Sequence, residues 1–169
     1  MNATERLVDP AAREELLRRM WYWHDARWFA AVAGEVGIDA ANRVNRGIVR
    51  ALGQTEMRRL MRALSVEGVD GIGDELALFE AGRDLFVPAS LIESSVCAAG
   101  DHAYDVAIAR CFVHDNIVRA GIADVYECAV FDRIAGWHDA WGLPLMDEPP
   151  TATCAMAAGR ACGRRFAIG

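Results

Sequence analysis

His102-Ala103-Tyr104-Asp105-Val106-Ala107-Ile108-Ala109-Arg110-Cys111 is the stretch on which the fold turns. Tyr104, Val106 and Ile108 alternate with Asp105, Ala107 and Ala109, a period of two that leaves one face apolar and reads as a half-buried strand. Gly100-Asp101 supplies a turn just before it, and Leu91 to Cys97 reads as the partner strand of a hairpin. A hairpin at this point excludes an all-helical chain.

Upstream, the pattern is helical. Asp9-Pro10 is an N-cap followed by proline at the first helical position. Leu17, Met20, Trp21, His24, Trp28 and Ala31 then recur at helical steps, which predicts an inward face on a helix ending near Gly34 or Gly37. Asp39 is placed to cap a second helix through Ala41, Val44, Ile48 and Leu52, stopped by Gly53. Thr55 is placed to cap a third, through Met57, Leu60, Met61 and Leu64. A turn over Gly68 to Gly73 leads to a short fourth helix carrying Leu76, Phe79 and Ala81. Downstream of the hairpin two more helices are expected, Phe112 to Ala120 and Asp124 to about Trp141, ended by Gly121 and Gly142. Pro144 and Pro149-Pro150 bracket an extended link, and Thr151 to Ile168 reads as two short strands turning at Ala158-Gly159-Arg160. The expectation is one α+β domain over residues 1–169: a helical N-terminal half (about 9–86), then β-β-α-α-β-β around a small antiparallel sheet (about 88–169).

Composition bounds the chemistry. The chain of 169 residues is 53% hydrophobic and 25% charged, and its net charge of −6 argues against nucleic acid as a partner. All 18 basic residues are arginine, so Schiff-base, pyridoxal-phosphate and P-loop lysines are excluded. Arg18-Arg19, Arg58-Arg59 and Arg164-Arg165 read as solvated basic faces. No apolar run reaches the roughly 18 residues of a membrane span. The first ten residues lack the apolar core of a secretion signal, so a cytoplasmic protein with reduced thiols is expected. Gly-x-Gly-x-x-Gly, Gly-x-Ser-x-Gly and His-Glu-x-x-His are all missing, and none of the four serines adjoins a histidine, which argues against a serine hydrolase.

Four of the five cysteines fall at or beyond position 111. Cys111 stands at a strand-to-helix junction with His114 one helical turn on, a spacing that suits a Cys–His nucleophile pair or two metal ligands. Cys128 is expected in the first turn of the next helix, facing Asp132, with Arg133 or Arg110 needed to offset the carboxylate. Cys154 and Cys162 flank the Gly159 turn. Together Cys111, Cys128, Cys154 and Cys162 could ligate zinc or iron, although the chain has no Cys-x-x-Cys pair. The plain alternative for each is a small core residue. In the first helix, His24 among Trp21 and Trp28 reads either as a core histidine or as the wall of an aromatic pocket, with Asn45 of the second helix facing it. Trp137 and Trp141 read as packing, His138 as an exposed C-terminal cap and His102 as solvated.

The run Cys111…Gly121…Tyr126-Glu127-Cys128…Asp132…Gly136-Trp137…Gly142, followed by Cys154…Gly159…Cys162…Phe166, resembles the C-terminal half of the L-2-amino-thiazoline-4-carboxylate hydrolase family. Trp28-Phe29…Gly37…Ala41…Arg58-Arg59-Leu60 is similar to the N-terminal part of a related, largely uncharacterised bacterial family. The resemblance implies hydrolytic opening of a thiazoline ring to an S-carbamoyl cysteine, with the four cysteines and Asp132 at the family's positions.

The expected function is therefore a cysteine-dependent hydrolase opening a cyclic C=N or C–N bond in a small carboxylated substrate. Cys128 or Cys111 is the expected nucleophile and Asp132 and His114 the acid/base pair. His24, Trp21, Trp28 and Asn45 form the expected substrate wall, and Arg110 or Arg27 the carboxylate clamp. A metal-bound hydroxide would serve instead of a thiolate if zinc or iron were present. The alternative is a non-enzymatic small-ligand or metal-binding module using the same cysteine and aromatic cavity. A third reading is an interaction protein, a homodimer through the first helix pair with inert thiols.

Overall fold

The computed structural model describes residues 9–168; Met1 to Val8, where no secretion signal is expected, lie outside the described residues, as does Gly169. Its elements are α1 (Pro10–Val36), α2 (Ile38–Leu64), α3 (Ile72–Phe86), β1 (Ile92–Ala98), β2 (Ala103–Cys111), α4 (Phe112–Arg119), α5 (Val130–Trp141) and β3 (Cys162–Ala167). The three strands form one antiparallel sheet in the order β1-β2-β3. This is the α+β fold with a helical N-terminal half that the sequence leads one to expect. Among the described residues no helix is long and apolar enough to cross a membrane.

The hairpin forms as read. Tyr104, Val106 and Ile108 of β2 are buried, and its partners run from Ile92 opposite Cys111 to Ala98 opposite Tyr104. Their apolar face meets Met57, Leu60, Phe79, Trp137 and Phe166, so one core joins both halves of the chain. Asp9 caps α1 as expected, its carboxylate accepting from the Ala11 N–H at 3.1 Å.

Four expectations are corrected. Gly53 does not stop a helix: α2 runs through it for 27 residues. Gly53 is there because α5 packs against it, and a Cβ would collide with the Arg133 carbonyl; Gly136 of α5 meets the Arg50 carbonyl in the same way. Thr55 is accordingly mid-helix, its hydroxyl donating back to the Ala51 carbonyl at 2.9 Å. Gly37, at φ 87°, ends α1 and serves as the N-cap of α2, so Asp39 lies in the first turn and not at the cap.

Second, α5 begins at Val130 and not near Asp124. The segment before it is extended, with Glu127 bridged to Thr153 and the Cys128 N–H donating to the Ala152 carbonyl at 2.9 Å. Cys128 is therefore not in a first helical turn. Third, the tail holds one strand, β3, and not two. Cys154 to Arg160 instead coils on itself, with Ala158 N–H bonded to the Cys154 carbonyl and Arg160 N–H to that of Ala155. Fourth, His138 is not an exposed cap but is 1% exposed, its Nε2 2.6 Å from the Tyr104 hydroxyl. His102 is exposed, as read.

Candidate active site

Three pieces of chain bring the thiols together. β2 ends at Cys111, and α4 starts one residue later, which places His114 one turn along on the same side. The extended segment before α5 carries Cys128. The Pro150–Ala161 loop folds back over both, carrying Cys154, and β3 opens with Cys162. All four cysteines and His114 line one cavity of about 260 Å³. Cys97, by contrast, is exposed on β1 and lies away from it.

Within the cavity one thiol has an imidazole partner. Cys154 Sγ lies 3.8 Å from His114 Nδ1, and Cys154 is 7% exposed. Burial disfavours the thiolate form of Cys111, Cys128 and Cys162. Burial pushes Cys128 up to about 12, with Cys111, Cys154 and Cys162 adding like-charge repulsion. Burial likewise pushes Cys162 up to about 11 and raises Cys111. For Cys111, N–H groups of Val113 and His114 work in the opposite direction, as expected at a helix start. Among the described residues no three His, Cys, Asp or Glu side chains are arranged as a metal-ligand set. The four thiols share a cavity without converging on one point, so the zinc or iron reading does not fit.

Asp132 is not on the cavity wall. Both its oxygens are held by Arg46, at 3.0 Å from Nε and 2.9 Å from Nη2, and it is 6% exposed. A carboxylate locked in a bidentate fork is a poor proton shuttle. Arg110 is also elsewhere: it is exposed and its guanidinium binds the Ser90 and Ala89 carbonyls. Two arginines line the cavity: Arg164, read as part of a solvated face, is half-buried and donates to the Asp147 and Glu148 carbonyls at 2.9 Å, and Arg160 is the cation the sequence reading missed. It lines the thiol cavity, and its side chain has no hydrogen-bond or ion-pair partner among the described residues.

The aromatic wall expected around His24 is rotated. His24, Trp21 and Trp28 are exposed, with Trp21 stacked on the His24 ring at 5.9 Å. The inward stripe of α1 is Tyr22, Trp23, Ala26 and Phe29. Trp23 meets Phe112 edge-on at 5.0 Å, and Phe29 meets Tyr126 at 5.2 Å. That stripe roofs a second, larger chamber of about 740 Å³ between α1, α2 and the sheet. Trp21, Asn45 and Arg27 line this chamber, whereas His24, Trp28 and Arg110 do not. The thiols and the tryptophans thus belong to two cavities and not to one. Ile108, Val113, Tyr126 and Val130 lie on the wall of both.

Compared with models of protein families, with curated proteins and with solved structures, the chain matches none.

Proposed function

We propose that the thiol-lined cavity is a catalytic site and that the protein is a cysteine-dependent hydrolase of a cyclic C=N or C–N bond in a small carboxylated molecule. The observation that carries this reading is the pairing of Cys154 Sγ with His114 Nδ1 at 3.8 Å inside a cavity of small-substrate size. The nucleophile is Cys154, in place of the Cys128 or Cys111 favoured by sequence spacing. Neither of those two has an imidazole partner, and burial raises both, Cys128 to about 12.

His114 takes the thiol proton and Cys154 adds to the ring carbon, forming a C–S bond while the C=N electron pair moves to nitrogen. The imidazolium returns its proton to that nitrogen. The exocyclic nitrogen's lone pair then expels the ring nitrogen, which leaves as an amine by taking the exocyclic N–H proton through His114, so the ring opens to an imidate-type adduct on sulfur. Water, deprotonated by the same imidazole, adds to the adduct and expels Cys154. Arg160 holds the substrate carboxylate at the rim. The Cys111, Cys128 and Cys162 thiols serve as weak donors and apolar walls.

The test is ring opening of 2-amino-thiazoline-4-carboxylate, followed as the gain of one water by mass spectrometry. Cys154→Ser should lower turnover by about 10³-fold or more and His114→Gln by about 10²-fold, while Cys97→Ser leaves it unchanged. Full turnover in Cys154→Ser rejects the mechanism.

A second reading, a non-enzymatic small-ligand module, is favoured by the same raised thiols, since a neutral thiol is neither nucleophile nor metal ligand. Alkylation with iodoacetamide at neutral pH separates the two. Rapid labelling of Cys154 alone supports the hydrolase; uniformly slow labelling of all cavity cysteines supports the module.

A further inference from the structure

The chamber beneath α1 is larger than the thiol cavity and has a different chemistry. Its volume of about 740 Å³ lies within the range of pockets that enclose drug-sized molecules. No residue of α1 is fully buried, although the helix lines the chamber from Trp21 to Ala30. No side chain of the roof therefore fills it. Its walls are mainly apolar and aromatic, and a site of this size and lining suits a ring-bearing ligand.

The wall also says what charge the occupant carries. Arg133 is fully engaged: Glu56 holds it at 2.8 and 2.6 Å, and the Tyr22 hydroxyl at 2.6 Å. Arg83 is taken by Asp84 at 3.0 Å, and Arg27 at the rim lies over the Trp23 ring. No free guanidinium is left inside for a fatty-acid carboxylate. Asp25 and Arg27 are both exposed, so neither charge lies inside the chamber. Asn45 and Tyr126, both on the wall, remain as its uncharged hydrogen-bonding side chains. Trp23, Phe29, Phe79, Phe112 and Trp137 supply ring faces and edges.

We infer that this chamber is a binding site for an uncharged, ring-bearing small molecule with one hydrogen-bonding group, seated under α1 and oriented by Asn45 and Tyr126. The inference does not depend on the thiol chemistry. The occupant shares the wall of Ile108, Val113, Tyr126 and Val130 with the thiol cavity but makes no bond to a cysteine.

Titration of the full chain with the neutral dye N-phenyl-1-naphthylamine tests it. Dye emission should rise, tryptophan emission should fall by energy transfer from Trp21, Trp23 and Trp137, and both should saturate at one dye per chain. Ala26→Phe and Ala30→Trp, which fill the chamber from the roof, should each weaken binding tenfold or more with the helical circular-dichroism signal unchanged. Ala30 is exposed at the edge of the lining, so that variant reports even if Ala26→Phe fails to fold. Cys154→Ser should bind the dye normally. Absence of dye binding, uptake beyond one per chain without saturation, or unchanged affinity in a folded filling variant overturns the inference. So does displacement by dodecanoate as readily as by a neutral ring compound, or a mass doubling that excludes the dye, which would put a second copy on this face.

Discussion

α1 and α2 are both 27 residues long, yet they are held by opposite means. α2 meets α5 backbone to backbone. Gly53 fits under the Arg133 carbonyl and Gly136 under that of Arg50, and the seam is laced by three ion pairs: Arg46–Asp132, Arg50–Asp139 and Arg133–Glu56. α1 has no such approach. It rests on side-chain tips: Arg18 on the Asp84 carbonyl at 2.6 Å, Arg133 reaching the Tyr22 hydroxyl, and three edge-on aromatic contacts. The difference shows that the rigid frame of this molecule is the α2–α5 cross with the sheet behind it. α1 is a roof carried at a distance, and the space beneath it is what the distance leaves.

The sharpest way to break this contrast is at the seam. A Cβ on Gly136 would strike the Arg50 carbonyl and come within 2.9 Å of the Gln54 nitrogen, both backbone atoms that no rotamer change can move. Gly136→Ala should therefore force the helices apart, against the usual gain in helix propensity. The expected loss is on the order of 3 kcal/mol, read as a lower urea midpoint by circular dichroism. A midpoint equal to wild type would mean that the seam is no tighter than the roof.

Gly53 also shows where sequence reading stops. A glycine inside a helical pattern is a stop signal by local rules. The reason it is tolerated here lies on α5, some 80 positions away and invisible to periodicity. α1 failed for another reason. Its aromatics lie all round the helix, so the stripe Trp21–His24–Trp28 and the stripe Tyr22–Trp23–Phe29 are equally periodic, and the pattern could not choose between them. β2 was legible because Asp105, Ala107 and Ala109 left a single apolar face. Of the thiol cavity, the Cys111–His114 pair could be read from spacing along one helix. The Cys154–His114 contact could not, since it depends on the Pro150–Ala161 loop folding back.

A smaller effect tests the core behind the seam. Glu75 and His138 are 0% and 1% exposed, with His138 Nδ1 3.3 Å from Glu75 Oε1 but not aligned for a hydrogen bond. Burial raises Glu75 from 4.5 to about 7 and lowers His138 from 6.5 to about 4. The raised acid contributes stability that is full below 4.5 and fades as pH climbs to about 7. The lowered base contributes stability that is full above 6.5 and fades as pH falls to about 4. Between about 4.5 and 6.5 the two slopes oppose, so the pair adds little pH dependence while both partners are present. Glu75→Gln removes one slope and should make stability rise from pH 4 to 6.5 by on the order of 2 kcal/mol. Urea midpoints at a series of pH values would show it; a variant profile as flat as wild type would mean that His138 is not held neutral by burial.

The smallest effect comes from the roof and has the opposite sign. Gly34 lies in the last turns of α1, and a Cβ there would meet nothing within 4 Å. Gly34→Ala should strengthen α1 by roughly 0.5–1 kcal/mol through the reduced backbone entropy of the unfolded segment. If α1 opens separately from the frame, that gain belongs to the local opening of the helix and not to global unfolding. Native-state hydrogen exchange should then show slower exchange for α1 amides in Gly34→Ala, with the slowest amides of α2 and α5 unchanged. Equal slowing in all three helices would mean that α1 unfolds with the seam, and the distinction between roof and frame would not survive. Because Gly34 and Gly136 receive the same methyl group in the same secondary structure, any difference in sign between them measures what lies across from each glycine.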